Sequence, residues 1–545
     1  MRPGGLSGVI AMLALVLLPG SAAAEAPYPP GISVETVRTA TLGTATIAAG
    51  GAHTCAITSL GGLYCWGDDS SGQLGDGARA HAFGEVVSAL PAAVQVDAGE
   101  AHTCAIDLRG SAHCWGDDSA GQLGDGGHAD RAAPVRVAAL SGRNLVEITT
   151  GARHSCAVDD EGVAWCWGDG SHGQLGAPGV RGSALPVRVG TRTGMRDPVV
   201  GISAGRDTTC ATTAAGAAFC WGSDAYGQLG TARRGDRGEP AAVARGTMRG
   251  KIHEIAVGGT QACAVDAEGR AFCWGGRALG SRAARPRLKP VPVGFAGAFG
   301  QVAAGGEHTC GLDRAGRALC WGEGAGGRLG NGGAARRTAP VGVRVGSALR
   351  DVDAGDEHTC AFDTRGYAYC WGAGAKGRLG TQRSADAAVP VRVKGLPRPP
   401  TAATDVRVRA LDGGLRVSWR PPADMGSGEF LYFWTTTADY RSTCTLAVAT
   451  ADGCELVGLE NGRRYDVAVL VRTRDGLTVS DLVTGVPAAV APLPAGARHP
   501  RRMPVSVLPG DGAGALVTGL SPIALIALGT VLLGGGLAAL LVRKQ

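Results

Sequence analysis

Sixteen cysteines and eleven histidines are the residues of this 545-residue chain whose types and spacing could do chemistry. Fourteen cysteines fall into seven pairs: Cys55 with Cys65, Cys104 with Cys114, Cys156 with Cys166, Cys210 with Cys220, Cys263 with Cys273, Cys310 with Cys320 and Cys360 with Cys370. Each pair has nine residues between its members. Zinc is one chemistry for paired cysteines, but this spacing departs from the usual C-x2-4-C. Disulfides fit better. Setting Cys104 opposite Cys114 leaves Leu108-Arg109-Gly110 as a three-residue hairpin loop. Such loops commonly end in a left-handed residue, a conformation glycine adopts without steric penalty. Glycine recurs there in all seven pairs: Gly61, Gly110, Gly162, Gly216, Gly269, Gly316 and Gly366. Residues directly opposite on antiparallel strands have alpha carbons about 4.5 Å apart, within disulfide reach.

Five histidines stand two residues before a cysteine: His53, His102, His154, His308 and His358. Such a set could ring a metal or supply a general base. Each occupies the same strand position, however, and catalysis needs no copies, so a packed, hydrogen-bonded histidine is the expectation. Asp68-Asp69-Ser70 and Asp117-Asp118-Ser119 offer oxygen ligands without EF-hand spacing or its closing glutamate, and are expected to bond the backbone of a turn. His-Glu-x-x-His and phosphate-loop motifs are missing from the sequence. The expectation is no enzyme: no catalytic residue, no cofactor and no metal.

The elements that must hold these cysteines recur. Successive first cysteines are 49, 52, 54, 53, 47 and 50 residues apart. Each unit reads as an apolar strand (Val94-Gln95-Val96-Asp97-Ala98), the cysteine hairpin ending in Trp-Gly, a polar loop ending Gly-Gln-Leu-Gly or close to it, and a strand of the type Pro-Val-x-Val. Proline at the start of an edge strand costs no ladder bond. Four strands in each of seven repeats predict a seven-bladed β-propeller over 45–396, closed so that sheet edges are protected. The fold class is all-β.

Gly-x-x-His-Thr-Cys-Ala, Cys-Trp-Gly-Asp-Asp-Ser-x-Gly-Gln-Leu-Gly and the trailing Pro-Val-x-Val resemble the repeats of the regulator of chromosome condensation family. The resemblance implies the propeller of that family, which is similar in fold to the bacterial beta-lactamase inhibitor protein II. Kelch repeats share the length but not the pattern. Blades 4 and 5 depart from the repeat: Thr208-Thr209 and Gln261-Ala262 stand where His-Thr is usual. A basic run follows in blade 5, with Arg277, Arg282, Arg285, Arg287 and Lys289. It suits a binding surface for an acidic partner near blades 4 to 6; solvated arginines accumulated by drift are the plain alternative.

Beyond Pro397–Pro400 the composition changes. Leu415 to Pro422 alternates like a strand with a buried Trp419, and Tyr465 follows a turn as a tyrosine corner does. These residues resemble a fibronectin type III domain, giving a β-sandwich over 397–488. The resemblance implies a further disulfide between Cys444 and Cys454, tying a loop to the next strand; no glycine there permits a hairpin like the others.

The ends of the chain read as targeting segments. Residues 1–24 carry Arg2, the apolar Val9–Leu18 and Ala22-Ala23-Ala24, as a signal peptide does, and 25–44 form a Pro-rich lead with Val34, Val37 and Leu42. Residues 489–515 read as an Ala/Pro/Gly-rich stalk, 516–542 as a transmembrane helix, and 543–545 as a cytoplasmic tail. Leu508-Pro509-Gly510-Asp511-Gly512 and Ala515–Gly519 resemble degraded sortase signals, leaving wall attachment as the alternative anchor. Export agrees with an even cysteine count. The formal charge of +6 is scattered, which argues against nucleic acid as partner. The leading expectation is an exported, C-terminally anchored bacterial cell-surface protein whose propeller binds an unknown protein or envelope polymer. The alternatives are guanine nucleotide exchange by family resemblance, which export disfavours, an extracellular enzyme inhibitor, and an accessory of carbohydrate-active enzymes.

Overall fold

A computed structural model of the chain describes residues 46–489, apart from 59–61, 80–86, 91–92, 191–193, 278, 282–284, 399, 426–429, 438–442, 447–448, 474–475 and 481–482. The signal peptide, the N-terminal lead, the transmembrane helix, the cytoplasmic tail and all but the first residue of the stalk lie outside the described residues. Among the described residues, no helix is long and apolar enough to cross a membrane.

Residues 46–392 form seven four-stranded antiparallel sheets, each with its strands in chain order from the axis outward. In blade 2 these are Ala93–Ala98, His102–Asp107, Ala112–Gly116 and Arg131–Arg136. Two faces follow from this order. The turn between the first two strands and the long loop between the last two lie on one side, the loop face. The cysteine hairpin and the connection to the next blade lie on the other, the hairpin face.

Every blade places its two cysteines directly opposite each other on the second and third strands. The partners in register are Cys55 and Cys65, Cys104 and Cys114, Cys156 and Cys166, and Cys210 and Cys220 in blades 1 to 4. In blades 5 to 7 they are Cys263 and Cys273, Cys310 and Cys320, and Cys360 and Cys370. All seven pairs have disulfide geometry, with alpha carbons 4.0–4.1 Å apart. The hairpin glycines Gly110, Gly162, Gly216, Gly269, Gly316 and Gly366 have φ between +72° and +83°, the left-handed value the three-residue loop demands; Gly61 lies outside the described residues. The outer strand differs from expectation at its proline. Pro134, Pro240, Pro290, Pro340 and Pro390 sit within the strand rather than at its start, at a register shift where the ladder needs no N–H.

The ring closes without a shared strand, since blades 1 and 7 are each built from one contiguous stretch. Side chains join them. Asp351 and Asp353 accept from the backbone N–H groups of Ile47 (2.9 Å) and Ala49 (2.7 Å).

The second module has a three-stranded sheet (Thr404–Leu411, Gly414–Arg420, Gly453–Val457) and a five-stranded one (Phe430–Thr437, Thr443–Leu446, Tyr465–Thr473, Gly476–Val479, Val483–Gly485). Alternating residues of both sheets, among them Leu415, Val417, Trp419, Phe433, Val467 and Val469, share one core. The Tyr465 hydroxyl accepts from the Glu460 N–H at 3.1 Å, which holds the corner before its strand. The expected bridge between Cys444 and Cys454 is corrected here: both cysteines are unbonded. Cys444 is on the five-stranded sheet and Cys454 on the three-stranded one, so they are not cross-strand neighbours of one hairpin. They still touch. Burial, with a hydrogen bond to Cys444, pushes the Cys454 thiol up to about 12. The linker pins this module to the hairpin face of blade 7, where Arg398 pairs with Asp424 at 2.7 Å and stacks 4.2 Å from the Tyr367 ring.

Candidate functional site

The inner strands surround an axial channel of about 350 Å³. A strand lining a channel exposes backbone N–H groups along its free edge, and these need acceptors. Here the preceding blade supplies them. Gln95 accepts from Ile148 N (2.8 Å), Glu147 from Ile202 N (3.1 Å), Glu254 from Val302 N (3.1 Å) and Gln301 from Val352 N (3.2 Å). Two residues further along, Asp97 accepts from Thr150 N (2.7 Å), Thr149 from Ala204 N (3.0 Å) and Ser203 from Val257 N (3.0 Å). Removal from water dominates the carboxylates among them. Burial raises Asp97 and Asp351 above the usual carboxylate range, and pushes Glu147, Glu254 and Asp353 up to about 7.

The five histidines form a second interlock. His53 Nε2 bonds the hydroxyl of Thr103 in the next blade (2.8 Å), and Thr103 donates to the carbonyl of Gln73 (2.9 Å). Trp115 Nε1 donates to that same carbonyl (2.9 Å). A hydroxyl that donates to a carbonyl must accept from the imidazole, which fixes a neutral Nε2–H tautomer. His102–Ser155, His154–Thr209, His308–Thr359 and His358–Thr54 repeat the contact. Burial holds His53 and His154 down to about 4, His102 and His308 to about 3, and His358 well below its ordinary value. These side chains are packed clamps, as their repetition implies, and none faces a reacting partner. The glycine ending Gly-Gln-Leu-Gly is part of the clamp: a Cβ on Gly75, at φ +83°, would overlap the Trp115 indole at Nε1.

The paired cysteines lie behind these clamps. The third-strand members Cys65, Cys114, Cys166, Cys220, Cys273, Cys320 and Cys370 are fully buried, as are their second-strand partners, so no propeller sulfur is open to a ligand. Asp69 and Asp118 accept from Leu74 N (3.0 Å) and Leu123 N (2.9 Å), so the Asp-Asp-Ser segments hold turns. Among the described residues no group of three His, Cys, Asp or Glu could hold a metal ion.

The departures in blades 4 and 5 fall on one junction. Thr208 replaces the histidine and bonds Ser223 O within its own blade (2.9 Å), while blade 5 presents Ala262 where a hydroxyl is usual. The clasp position, held by Gln95, Glu147, Glu254 and Gln301 in blades 2, 3, 5 and 6, is Gly201 in blade 4, which has no side-chain acceptor to offer Ile255. Ser203 to Val257 N and Trp274 to Gln228 O (2.8 Å) remain. The next junction is restored by Gln261, whose Nε2 donates to His308 O (2.9 Å).

On the loop face, the channel opens into a pocket of about 620 Å³ ringed by charge. Blades 6 and 7 place Arg328 and Arg378 where blades 1 to 4 have glutamine. Arg378 lies 3.3 Å from Glu357 and donates to Gly51 O at 3.0 Å; Arg328 lies 3.9 Å from the same carboxylate. Arg206 reaches Asp356 at 3.9 Å, and Tyr226 stands 49 % exposed beside it.

The basic run divides along this face. Arg277 sits in the loop after the third strand of blade 5, its carbonyl bonded by Arg336 of blade 6 (3.0 Å). Arg287 and Lys289 alternate outward on the outer strand, and Arg285 precedes them, all exposed; Arg282 lies outside the described residues. Register extends the run. Arg237, Arg287 and Arg337 occupy one position in blades 4, 5 and 6, opposite Gly222, Gly275 and Gly322. None of the three has a carboxylate partner among the described residues, whereas Arg131, at that position in blade 2, pairs with Asp125 at 2.9 Å. Sequence reasoning missed the clasp residues; polar side chains two apart in an apolar inner strand, such as Gln95 and Asp97, were the available signal.

The family description "RCC1-like domain" matches residues 20–344, more than half of the chain. The chain belongs to the RCC1-like family. The "regulator of chromosome condensation (RCC1) repeat" matches again at 349–378 and 365–406. Human E3 ubiquitin-protein ligase HERC2 is 31% identical over 232 residues, 42% of this chain and 5% of HERC2. The ultraviolet-B receptor UVR8 of Arabidopsis thaliana is 31% identical over 234 residues, 42% of this chain and 52% of UVR8. The RCC1-like chain thus spans a small part of HERC2 and about half of UVR8. Among solved structures, human WBSCR16 is similar at a TM-score of 0.54 and 23% identity, covering 58% of this chain and 87% of that one. Prp20p of Saccharomyces cerevisiae is similar at 0.54 and 21%, covering 61% and 86%. These two show the fold.

Proposed function

We propose that the RCC1-like propeller is a protein-interaction module that uses its loop face, with the basic rim of blades 4 to 6 as the contact for an acidic partner. The supporting observation is the register: Arg237, Arg287 and Arg337 align on adjacent blades, with Lys289 two residues beyond Arg287. The second module is fastened at the hairpin of blade 7, on the opposite face, and so does not compete for this surface. Loops on a rigid scaffold are where binding residues concentrate. Solved relatives favour proteins as partners, since Prp20p is described with binding properties to Gsp1p and histones.

The setting is an exported bacterial protein anchored at the cell surface by its C-terminus. The signal-like residues 1–24, a disulfide-type pair in every blade and the apolar run 516–542 support it. The second module is a fibronectin type III-like spacer, a reading supported by Trp419 in its core and the Tyr465 corner. The test is affinity chromatography of envelope extracts on the full chain against an Arg237→Glu, Arg287→Glu, Lys289→Glu, Arg337→Glu variant. A partner retained by the wild type, eluted by moderate salt and lost by at least tenfold in the variant is expected. Equal retention by both proteins rejects the rim as the contact.

A further inference from the structure

We propose that His172 makes the grip on an acidic partner pH-dependent: its contact with Asp236, between the loops of blades 3 and 4, decides whether the rim arginine Arg237 is masked. The inference rests on the basic rim of blades 4 to 6 being the contact surface. His172 Nδ1 lies 2.8 Å from Asp236 Oδ2, and both side chains are 47 % exposed. Asp236 immediately precedes Arg237. Its other oxygen, Oδ1, accepts from Asp224 N (2.9 Å) and so closes the long loop of blade 4. Blade 2 is built alike. Asp130, immediately before Arg131, accepts through Oδ1 from Asp118 N (3.0 Å). Its second oxygen faces Arg79 of blade 1 at 3.7 Å, and an arginine stays charged at every working pH. At the junction of blades 3 and 4 a titratable group takes that place. The residues before the rim arginines of blades 5 and 6 are Pro286 and Arg336, so of the three only Arg237 follows an acid.

Carboxylates dominate the surroundings of the imidazole. Asp169 belongs to its own loop and Asp207 to the first turn of blade 4, with Arg206 and Arg153 near Asp207. Asp224 and Arg234 stand on the far side of Asp236, in the same loop. The hydrogen bond to Asp236, with the charges of Asp236, Asp207 and Asp169, holds His172 above 6.5 against a small opposing effect of burial. The imidazolium therefore persists into the neutral range and is lost as pH rises. With the proton on, His172 offsets Asp236, and Arg237 presents an uncompensated charge to a partner. With the proton off, Asp236 stands charged beside Arg237, and the two cancel for a partner approaching from outside. Acidic partners thus bind more tightly at lower pH, and by linkage their binding takes up a proton. Glu147, Glu254 and Asp353 titrate in the same range, but they line the axial channel and are common to wild type and His172 variants.

Poly-L-glutamate serves as the probe, bound to the full-length chain at constant ionic strength. Wild type should bind it at least about threefold more tightly at pH 6 than at pH 8.5. His172→Gln should bind nearly equally at both pH values, at the weaker level. His172→Arg, which supplies the permanent cation that Arg79 is to Asp130, should bind nearly equally at the stronger level. The same pH ratio in wild type and His172→Gln overturns the inference and leaves the rim as the contact. Equal binding at pH 6 by wild type and the quadruple rim variant rejects the rim, and the inference with it. Histidine titration by NMR is the second measurement. The resonance missing from His172→Gln should titrate above 6.5 in wild type and at lower pH in Asp236→Asn; a midpoint unmoved by Asp236→Asn also overturns the inference.

Discussion

A buried imidazole that donates from Nε2 to a hydroxyl gains nothing from a second proton. The five interlock histidines are held well below 6.5, so they contribute stability above that pH that is lost as pH falls, toward about 3–4 for His53, His102, His154 and His308. The clasp carboxylates act with the opposite sign. Glu147, Glu254 and Asp353 are raised to about 7, so their contribution is full below the unfolded carboxylate range and is lost as pH rises through 7. The protein already contains the control, because Gln95 and Gln301 make the same clasp without charge. Glu147→Gln with Glu254→Gln is expected to stabilise at pH 8 by about 1 kcal/mol or more per site, and to change little at pH 4.5. Urea unfolding at the two pH values, with disulfides intact, reads the difference.

At the scale of elements, the junction between blades 4 and 5 is the least interlocked. Thr208→His with Ala262→Thr would build the missing clamp. Each change alone should be neutral or destabilising, because Thr208 loses its bond to Ser223 O and a lone hydroxyl at 262 lacks its imidazole. Together they should show a favourable coupling of about 1 kcal/mol in a double-mutant cycle. The cysteine hairpins are local elements: each sulfur pair closes a loop of ten residues, which the chain-entropy relation makes worth about 2.5–3 kcal/mol. Cys104→Ala with Cys114→Ala should therefore lower unfolding stability by about that amount. Cys444 and Cys454 stand apart from this set. Alkylation of the unreduced, denatured chain followed by mass measurement should label two thiols, and none of the other fourteen.

For the whole molecule, a ring closed without a shared strand opens where the bonds between neighbouring blades are fewest. Hydrogen exchange in the native protein should be fastest along the inner strand Ile252–Val257 of blade 5 and slower along Thr46–Ala49 of blade 1, although the latter borders the chain's own break. Blade 1 keeps both carboxylate clasps and the His358–Thr54 clamp. Blade 5 meets blade 4 without the clamp. Equal exchange in both strands would mean that packing of the buried tryptophans outweighs the clasps.

The repeat itself carried the blade. Cysteine spacing, the left-handed glycine and Trp-Gly are short-range features, and a hairpin's register is set by its turn, so the four-stranded unit and the cysteine pairing were legible in the residues alone. The packed role of the histidines followed from their repetition. What lay beyond reach was every contact whose two partners belong to different blades. Nothing local marks Glu147 as the acceptor for Ile202, or aligns Arg237 with Arg287 and Arg337. The bridge between Cys444 and Cys454, which the fibronectin type III resemblance implied as a tie from a loop to the next strand, failed for the same reason: the meeting of two residues across two sheets is set by the packing of the sheets and not by local sequence. Local geometry fixed the blades, and the closing of the ring decided which of their edges, charges and apolar residues came to lie together.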